Sequence, residues 1–374
     1  MHPYFPPELE LVLSCACVGP DSGAIERQQR ACAAVRNWDA ALTSVSRHSV
    51  TPLVFQNLTR HCSEAIPAPI LSELRDRAEA NTVRNLRLTR ALLELLDRLQ
   101  DAGISAIPYK GPTLAVTAYG DISLREFVDL DLLVPGADML RARDVLLADG
   151  WTPEYRMTAQ QGTSYLRHAC EYNFYREDTA LELHWQIAPP HMSVAFHMDG
   201  LWQRARSIQI SGRHVPVLCN EDLLLVLAVH GAKHLWSSVR WLCDVAQTGR
   251  TATSLDWDAI CVRARQIGAA RILHVALHLA HTLLGATIPR RVLADADSTV
   301  PRICTRLMRN LVGPPRRTPL RDHFAAVHMR EHWRDRVRYV WRVGKAPGPL
   351  VEAGGHTRPR SRFVRLLNYF AVRG

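Results

Sequence analysis

Two aspartates two residues apart, Asp129 and Asp131, sit in the apolar run FVDLDLLV at 127–134. In a strand, residues i and i+2 point the same way, so both carboxylates project from one face while Val128, Leu130 and Leu132 take the other. Two acids on one face of an apolar strand repel each other and lose hydration. Such a pair either ends a strand in water or holds a cation. A third acid is available in ALELHWQI at 180–187, where Glu182 shares a face with His184. Two carboxylates plus a third from a neighbouring strand form a donor set for hard divalent ions, Mg²⁺ or Mn²⁺, of the kind that serves phosphoryl transfer. The plainer alternatives are a strand-end pair facing water and an edge-strand surface acid at Glu182. His184 is expected to hydrogen-bond near the site rather than ligate, because hard ions prefer oxygen.

Phosphate chemistry needs donors as well. The apolar run Ile104 to Tyr109 leads into Lys110-Gly111-Pro112-Thr113. A glycine-led helix start after a strand offers backbone N–H groups to anionic oxygens. Pro112 removes one donor and leaves those of Gly111 and Thr113. Lys110 adds a point charge, and Arg125 can reach phosphate from the loop before the aspartate strand. Its competing use is pairing with Glu126 or Asp121.

The elements that must carry these residues are legible in outline. Residues 1 to about 100 read as helical, with Pro6-Pro7 before a helix start, Pro52 at a first helical position, and helical periodicity over 25–46, 68–80 and 82–101. Between 103 and about 187 the order is strand, helix 112–119 closed by Gly120, strand, helix 137–148 closed by Gly150, and a hairpin of 171–177 with 180–187 turning at Asp178-Thr179. From Pro189 onward the pattern is mostly helical, with Asn220 and Ser254 as candidate N-caps and a basic amphipathic helix over 320–343. The expected fold is α+β, a small mixed sheet with helices, flanked by all-α regions. The expected division is 1–102 helical, 103–190 catalytic core, 191–345 helical, and 346–374 a basic loop and terminal amphipathic segment.

The ordered set of strand, KG-x-x-L, helix, R-x-x-x-D-h-D-h-h-V (h apolar) and h-E-h-H-W resembles the nucleotidyltransferase superfamily with a DNA polymerase β-like core. More narrowly it is similar to bacterial nucleotidyltransferase family proteins, some of which accompany gene clusters for peptide natural products. The resemblance spans roughly residues 40 to 345 and includes the flanks HSVTPLVFQNL and HGAKHLWSSVRWLCDVA. It implies that Asp129, Asp131 and Glu182 hold Mg²⁺ or Mn²⁺, and that Lys110, Gly111, Thr113, Arg125 and His184 contact the nucleotide. It further implies transfer of an NMP unit from an NTP, ATP by default, to a hydroxyl, phosphate or amine with release of pyrophosphate. The acceptor would be a small molecule, a ribosomally made peptide, a protein or an RNA such as a tRNA end. Two departures stand out: Gly111-Pro112 replaces the usual Gly-Gly or Gly-Ser, and the third acid is Glu rather than the commoner Asp.

Composition bounds the rest. The chain has 374 residues, 47% of them hydrophobic, enough for a sizeable core. No apolar run is long enough for a membrane span, and the N-terminus lacks the basic start of a signal peptide. The nine cysteines are scattered with no CxxC, which fits reduced thiols in a cytoplasmic protein. The net charge of +10 is uneven: residues 301–374 hold 17 Lys and Arg against four Asp and Glu, so that segment carries +13 and the remainder −3. In the basic helix Met329, Trp333, Val337, Val340 and Trp341 lie along one side, which reads first as core packing and second as an RNA or membrane face. A second function therefore stands beside the first: a nucleotide-binding module without turnover that acts through its basic tail on RNA or a protein. His230-x-x-x-His234 lacks the Glu of a zinc-protease helix and a third ligand. His274, His278 and His281 read as a half-buried stripe, and Asp244 as a cap or ion pair.

Overall fold

The computed structural model describes residues 5–156, 159–251, 255–312 and 326–345. The sheet at its centre has five strands: β1 (Ile107–Pro108), β2 (Asp129–Leu133), β3 (Thr152–Pro153), β4 (Glu171–Arg176) and β5 (Thr179–His184), in the order β1-β2-β5-β4-β3. β2 and β5 run parallel; the other pairs are antiparallel. The fold is α+β with a small mixed sheet, as expected.

Register gives the sheet two unlike faces. Leu130, Leu181 and Phe174 form one row and Leu132, Leu183 and Tyr172 the next. These six are buried in a core with Leu88, Leu92, Leu95 and Leu99 of the helix Ala68–Asp101. The opposite face carries Asp129, Ala180 and Tyr175, then Asp131, Glu182 and Asn173, then Leu133, His184 and Glu171. Apolar residues alternate with polar ones because one face packs on a helix and the other does not.

The helix Ala68–Asp101 is one continuous element of 34 residues, where periodicity alone suggested a break near 81. Asn81, which reads as an interruption, is buried in mid-helix. Its Nδ2 donates to the carbonyl of Ser123 at 3.0 Å, and Asn85 Nδ2 to those of Ile122 and Arg125 at 2.7 and 2.8 Å. Arg84 Nε reaches the Phe127 carbonyl at 3.1 Å. The helix thus grips the loop that delivers the aspartate strand. The segment 25–46 divides into the helices Ser22–Ala34 and Trp38–His48, the second capped by Asn37.

A larger apolar core joins the early helices, among them Pro7–Cys15 and Thr51–His61, to Asn220–Lys233, Val239–Thr251 and Ala270–Leu284. A second sheet, the hairpin of β6 (Arg206–Ile210) and β7 (Arg213–Val217), interrupts the region read as helical. Its Ile210 and Val215 bury against Leu93. The N-caps fall elsewhere than expected: Cys219 precedes Asn220–Lys233, and Asp256 caps Trp257–Gln266 while Ser254 lies outside the described residues. Of the basic helix, Trp333–Lys345 is described. Met329 is buried, but Trp333, Val337, Val340 and Trp341 are exposed, which corrects the reading of that side as core. The break at 313–315 and the segment 346–374 lie outside the described residues. Among the described residues no helix is long and apolar enough to cross a membrane.

Candidate active site

Parallel pairing places Asp131 opposite Glu182, with Asp129 one row outward on the same face. Ligand atoms of Asp131, Glu182 and His184 all lie within 4.8 Å of one another. His184 Nε2 approaches Glu182 Oε2 at 3.2 Å and Asp131 Oδ1 at 3.6 Å, while Nδ1 faces Glu171 Oε2 at 3.6 Å. The Tyr109 ring meets His184 edge-on at 5.3 Å. Burial works against a charged imidazole, but the surrounding carboxylates overcome it and hold the His184 proton well above the usual histidine range.

The acids divide by their neighbours. Asp131 is 3% exposed. Burial would raise its carboxyl, yet Lys110, which forms an ion pair with it, and His184 hold it well below the ordinary range. Asp129 is half-buried, and burial together with the charge of Asp131 raises its carboxyl, with Lys110 acting the other way. Glu171 is pulled down to about 2 against its burial by His184 and by Lys233. Lys233 donates to its two oxygens at 2.9 and 2.8 Å.

The turn after β1 is built around Gly111, whose φ of +55° lies in the left-handed region. A Cβ there would stand 3.4 Å from the Asp129 carbonyl oxygen, so glycine answers both the backbone angle and a close approach to β2. Gly111–Leu114 is helical and continues as a wider turn over Ala115–Tyr119, ending at Gly120. The Thr113 hydroxyl faces inward, donating to the carbonyls of Lys110 at 2.9 Å or Pro108 at 3.2 Å.

Arg125 is drawn elsewhere. It is buried, and its Nε and an NH2 group donate to the two oxygens of Asp244 at 2.8 and 2.9 Å. Neither acid weighed as its partner from sequence pairs with it. Glu126 accepts the Thr51 N–H at 2.7 Å, and Asp121 accepts the Ser123 N–H at 2.8 Å. The structure therefore gathers Asp129, Asp131, Glu182, His184, Lys110 and Gly111 at one place. It leaves Arg125 beside Tyr119 and Asp244 as an internal tie.

Glu171 and Lys233 also belong to the cluster and went unread, and His230, weighed only as a zinc ligand, stands beside Lys110. The hairpin turns one residue earlier than expected, at Glu177-Asp178, and that register puts Glu171 opposite His184. His230, 3.4 Å from the Lys110 ammonium through Nδ1, shares a helix face with Lys233 and His234. Its imidazole is pushed well below its usual range by burial and then by Lys110. A cavity of about 480 Å³ opens elsewhere, between Leu93, Leu96 and the β6–β7 hairpin, near the start of β1 rather than beside the carboxylates.

A small mixed sheet with helices packed on its apolar face, and a strand-to-glycine turn at one end, is the nucleotidyltransferase-like fold. The chain belongs to the family described as uncharacterised nucleotidyltransferases, whose profile matches residues 34–285. It is a nucleotidyltransferase and takes an NTP substrate. Among solved structures it is similar to the crystal structure of ANT(2")-Ia in complex with adenylyl-2"-tobramycin, at 13% identity and a TM-score of 0.35 over 48% of this chain and 97% of that one. The solution structure of the antibiotic-resistance factor ANT(2")-Ia is similar at 13% identity and a TM-score of 0.36, over 53% of this chain and 98% of that one. No curated protein matches the chain.

Proposed function

We propose that this protein moves an NMP unit from an NTP, ATP by default, to a hydroxyl, phosphate or amine acceptor, with Asp129, Asp131 and Glu182 holding Mg²⁺ or Mn²⁺. The observation that carries the reading is the register of β2 and β5, which sets Asp131 directly opposite Glu182 with Asp129 on the same face. The donor set fits such an ion. The clustered groups offer carboxylate oxygens, and the cluster already draws the Lys110 ammonium onto Asp131. His184, hydrogen-bonded to Glu182, steadies that carboxylate. When bound, the ion polarises the α-phosphate and screens the charge of the departing pyrophosphate.

The acceptor oxygen or nitrogen forms a bond to the α-phosphorus while the α–β phosphoanhydride bond breaks and pyrophosphate leaves. Asp129, whose carboxyl is raised by burial and by the charge of Asp131, takes the acceptor's proton. Lys110 contributes positive charge beside the Gly111 turn once it leaves Asp131. The acceptor is a small molecule, a ribosomally made natural-product peptide, a protein or a tRNA end. A cytoplasmic setting suits an NTP-dependent reaction.

The test incubates the purified protein with each α-labelled NTP and Mg²⁺ or Mn²⁺, with and without cell extract, and follows pyrophosphate and labelled acceptor. Transfer is expected to fall by about a thousandfold or more in the Asp129→Ala, Asp131→Ala double variant, since about 4 kcal/mol of transition-state stabilisation goes with the metal site. Undiminished transfer in that variant sinks the reading. NTP binding without turnover in any extract would favour the non-catalytic module.

A further inference from the structure

The polar face of the sheet does not end at His184. Nε2 of that ring looks toward Glu182 and Asp131, while Nδ1 looks the other way, toward Cys170 and Glu171. His184 is 3% exposed, and its Nδ1 is buried with no hydrogen-bond partner. Ligand atoms of Cys170, Glu171 and His184 all lie within 4.8 Å of one another. Cys170 Sγ stands 3.5 Å from Glu171 Oε2, and His184 Nδ1 stands 3.6 Å from the same oxygen. Around a tetrahedral zinc ion, with bonds of about 2.3 Å to sulfur and about 2.1 Å to nitrogen and oxygen, neighbouring ligand atoms sit about 3.4–3.6 Å apart. Both distances are those of such a tetrahedron.

The backbone delivers these three side chains together. Glu171 opens β4 opposite His184 in the register with β5. Strict alternation would send Cys170 to the other face of the sheet. Instead the ladder ends there, and the N–H groups of Trp185 and Gln186 both donate to the Cys170 carbonyl, at 3.0 and 3.3 Å. Two donors on one carbonyl are the pattern of a β-bulge, which re-aims a side chain. The thiol accordingly comes back to Glu171. The imidazole is oriented as well. Nε2 is 3.2 Å from Glu182 Oε2, so the N–H of a neutral ring belongs on that side and the lone pair of Nδ1 is left for Cys170 and Glu171. A metal-ligating histidine has this arrangement, with a carboxylate on its far nitrogen.

We propose that Cys170, Glu171 and His184 form a second cation site, for a divalent ion of the zinc type, on the opposite side of His184 from Asp131 and Glu182. The two donor sets differ in kind. Carboxylates alone suit hard Mg²⁺ or Mn²⁺, whereas thiolate, imidazole and carboxylate together suit Zn²⁺. As the ion binds, the Cys170 thiol and His184 Nδ1 each release a proton to solvent. Water completes the fourth position. Lys233 competes with the ion, because its ammonium donates to both Glu171 oxygens at 2.9 and 2.8 Å. Its side chain is 28% exposed and can swing out into water. The proposal goes beyond nucleotide transfer and does not depend on it: Zn²⁺ binding in a protein without transfer would leave it standing.

The experiment titrates Co²⁺ and then Zn²⁺ into the full-length protein, kept reduced by a non-thiol reductant, with excess Mg²⁺ present throughout. Co²⁺ should give a near-ultraviolet thiolate-to-cobalt charge-transfer band that saturates at one ion per chain, and Zn²⁺ should abolish it. Cys170→Ser should remove the band and weaken Zn²⁺ binding, read by competition with a chromophoric chelator, by about 100-fold or more. Asp129→Ala should keep the band. Lys233→Gln leaves all three ligands in place and removes their competitor, so it should tighten Zn²⁺ binding about tenfold. No band in the wild type, or a band that survives in Cys170→Ser, overturns the proposal. So does equal Zn²⁺ affinity in Lys233→Gln and the wild type, a comparison that holds even if Cys170→Ser fails to fold. A band lost in Asp129→Ala would put the ion among the other acids and overturn it too.

Discussion

At Asp244, Arg125 donates to both carboxylate oxygens and the Tyr119 hydroxyl adds a third bond at 2.7 Å, all of it buried. At Asp131, also buried, one oxygen is shared between the Lys110 ammonium and the His184 imidazole while Asp129 stands two residues away. Both centres join an acid to a base inside the protein. The Asp244 centre pairs one charge with one charge and fills the donors' directions. The Asp131 centre holds Asp129, Glu182 and Glu171 as well, so its acids are crowded and its cations shared. Burial alone would deprotonate Arg125 more easily, yet Asp244 reverses that and holds its proton beyond the usual range. Asp129 shows the opposite outcome, its carboxyl raised by burial and by a like charge. A saturated buried pair fixes structure; an unsaturated cluster is disposed to take up a ligand.

The largest test of that contrast is Asp244→Ala. Removing one partner of a buried pair strands the other charge, at a cost of about 3–5 kcal/mol. The loss should appear in urea unfolding. Because Arg125 belongs to the loop that Asn81 and Asn85 hold, nucleotide binding should weaken too. Replacing both members with apolar residues, Arg125→Met with Asp244→Leu, should recover most of the stability. A loss below about 1 kcal/mol in Asp244→Ala would show that the node is not the tie described.

A second test sharpens the scaffold side. His48 is fully buried and moors the start of the helix Val239–Thr251, its carbonyl accepting from Ser238 Oγ and its Nδ1 from the Val239 N–H. Burial, then the charge of Arg47, pushes its imidazole down to about 4. The unfolded chain takes up this proton near pH 6.5 and the folded one only near 4, so unfolding binds a proton between those values. Stability therefore falls as pH drops through that window, by at most about 3 kcal/mol from this residue. His48→Asn keeps an acceptor for the Val239 N–H and removes the titration. Its stability should decline less between pH 6.5 and 4 than that of the wild type. Identical pH profiles would remove His48 from the account.

How much of this was legible in the sequence follows from the range of each interaction. Asp129 and Asp131 could be placed on one face because strand alternation is local. Glu182 could be matched to them because one hairpin and one crossover leave few positions for a third acid. Gly111 was readable for the same reason, as a turn between two short elements. The reading failed where a distant partner decides the matter. Arg125 lies 119 residues from Asp244, and nothing near either one announces the bond. Asn81 looked like an interruption because its use, to hold the carbonyls of Ser123 and Arg125, appears only when the loop folds back. The β6–β7 hairpin went unread because it is short and set among strongly helical segments. Lys233 sat in plain view as a basic residue on a helix, which is what solvated surface also looks like.

The smallest expected effect is also the one that separates the two centres most cleanly. At Asp244, taking away an acid should destabilise. At Asp129, Asp129→Asn should leave stability unchanged or raise it by roughly 1 kcal/mol at pH 7, because it relieves burial of a charge and repulsion from Asp131. The sign follows from the raised carboxyl. Between the unfolded and folded pKa values the folded chain binds the extra proton, so the wild type loses stability as pH rises through that window. The gain from Asn should accordingly vanish below about pH 4. Mg²⁺ or Mn²⁺ should raise the melting temperature of the wild type and fail to do so in Asp129→Asn, since an ion that binds only the folded state stabilises it by mass action. If Asp129→Asn destabilises as Asp244→Ala does, the carboxylate cluster is a second structural tie. A stabilised variant that no longer responds to the ion marks a site whose acids are held close for a ligand, at some expense to the fold.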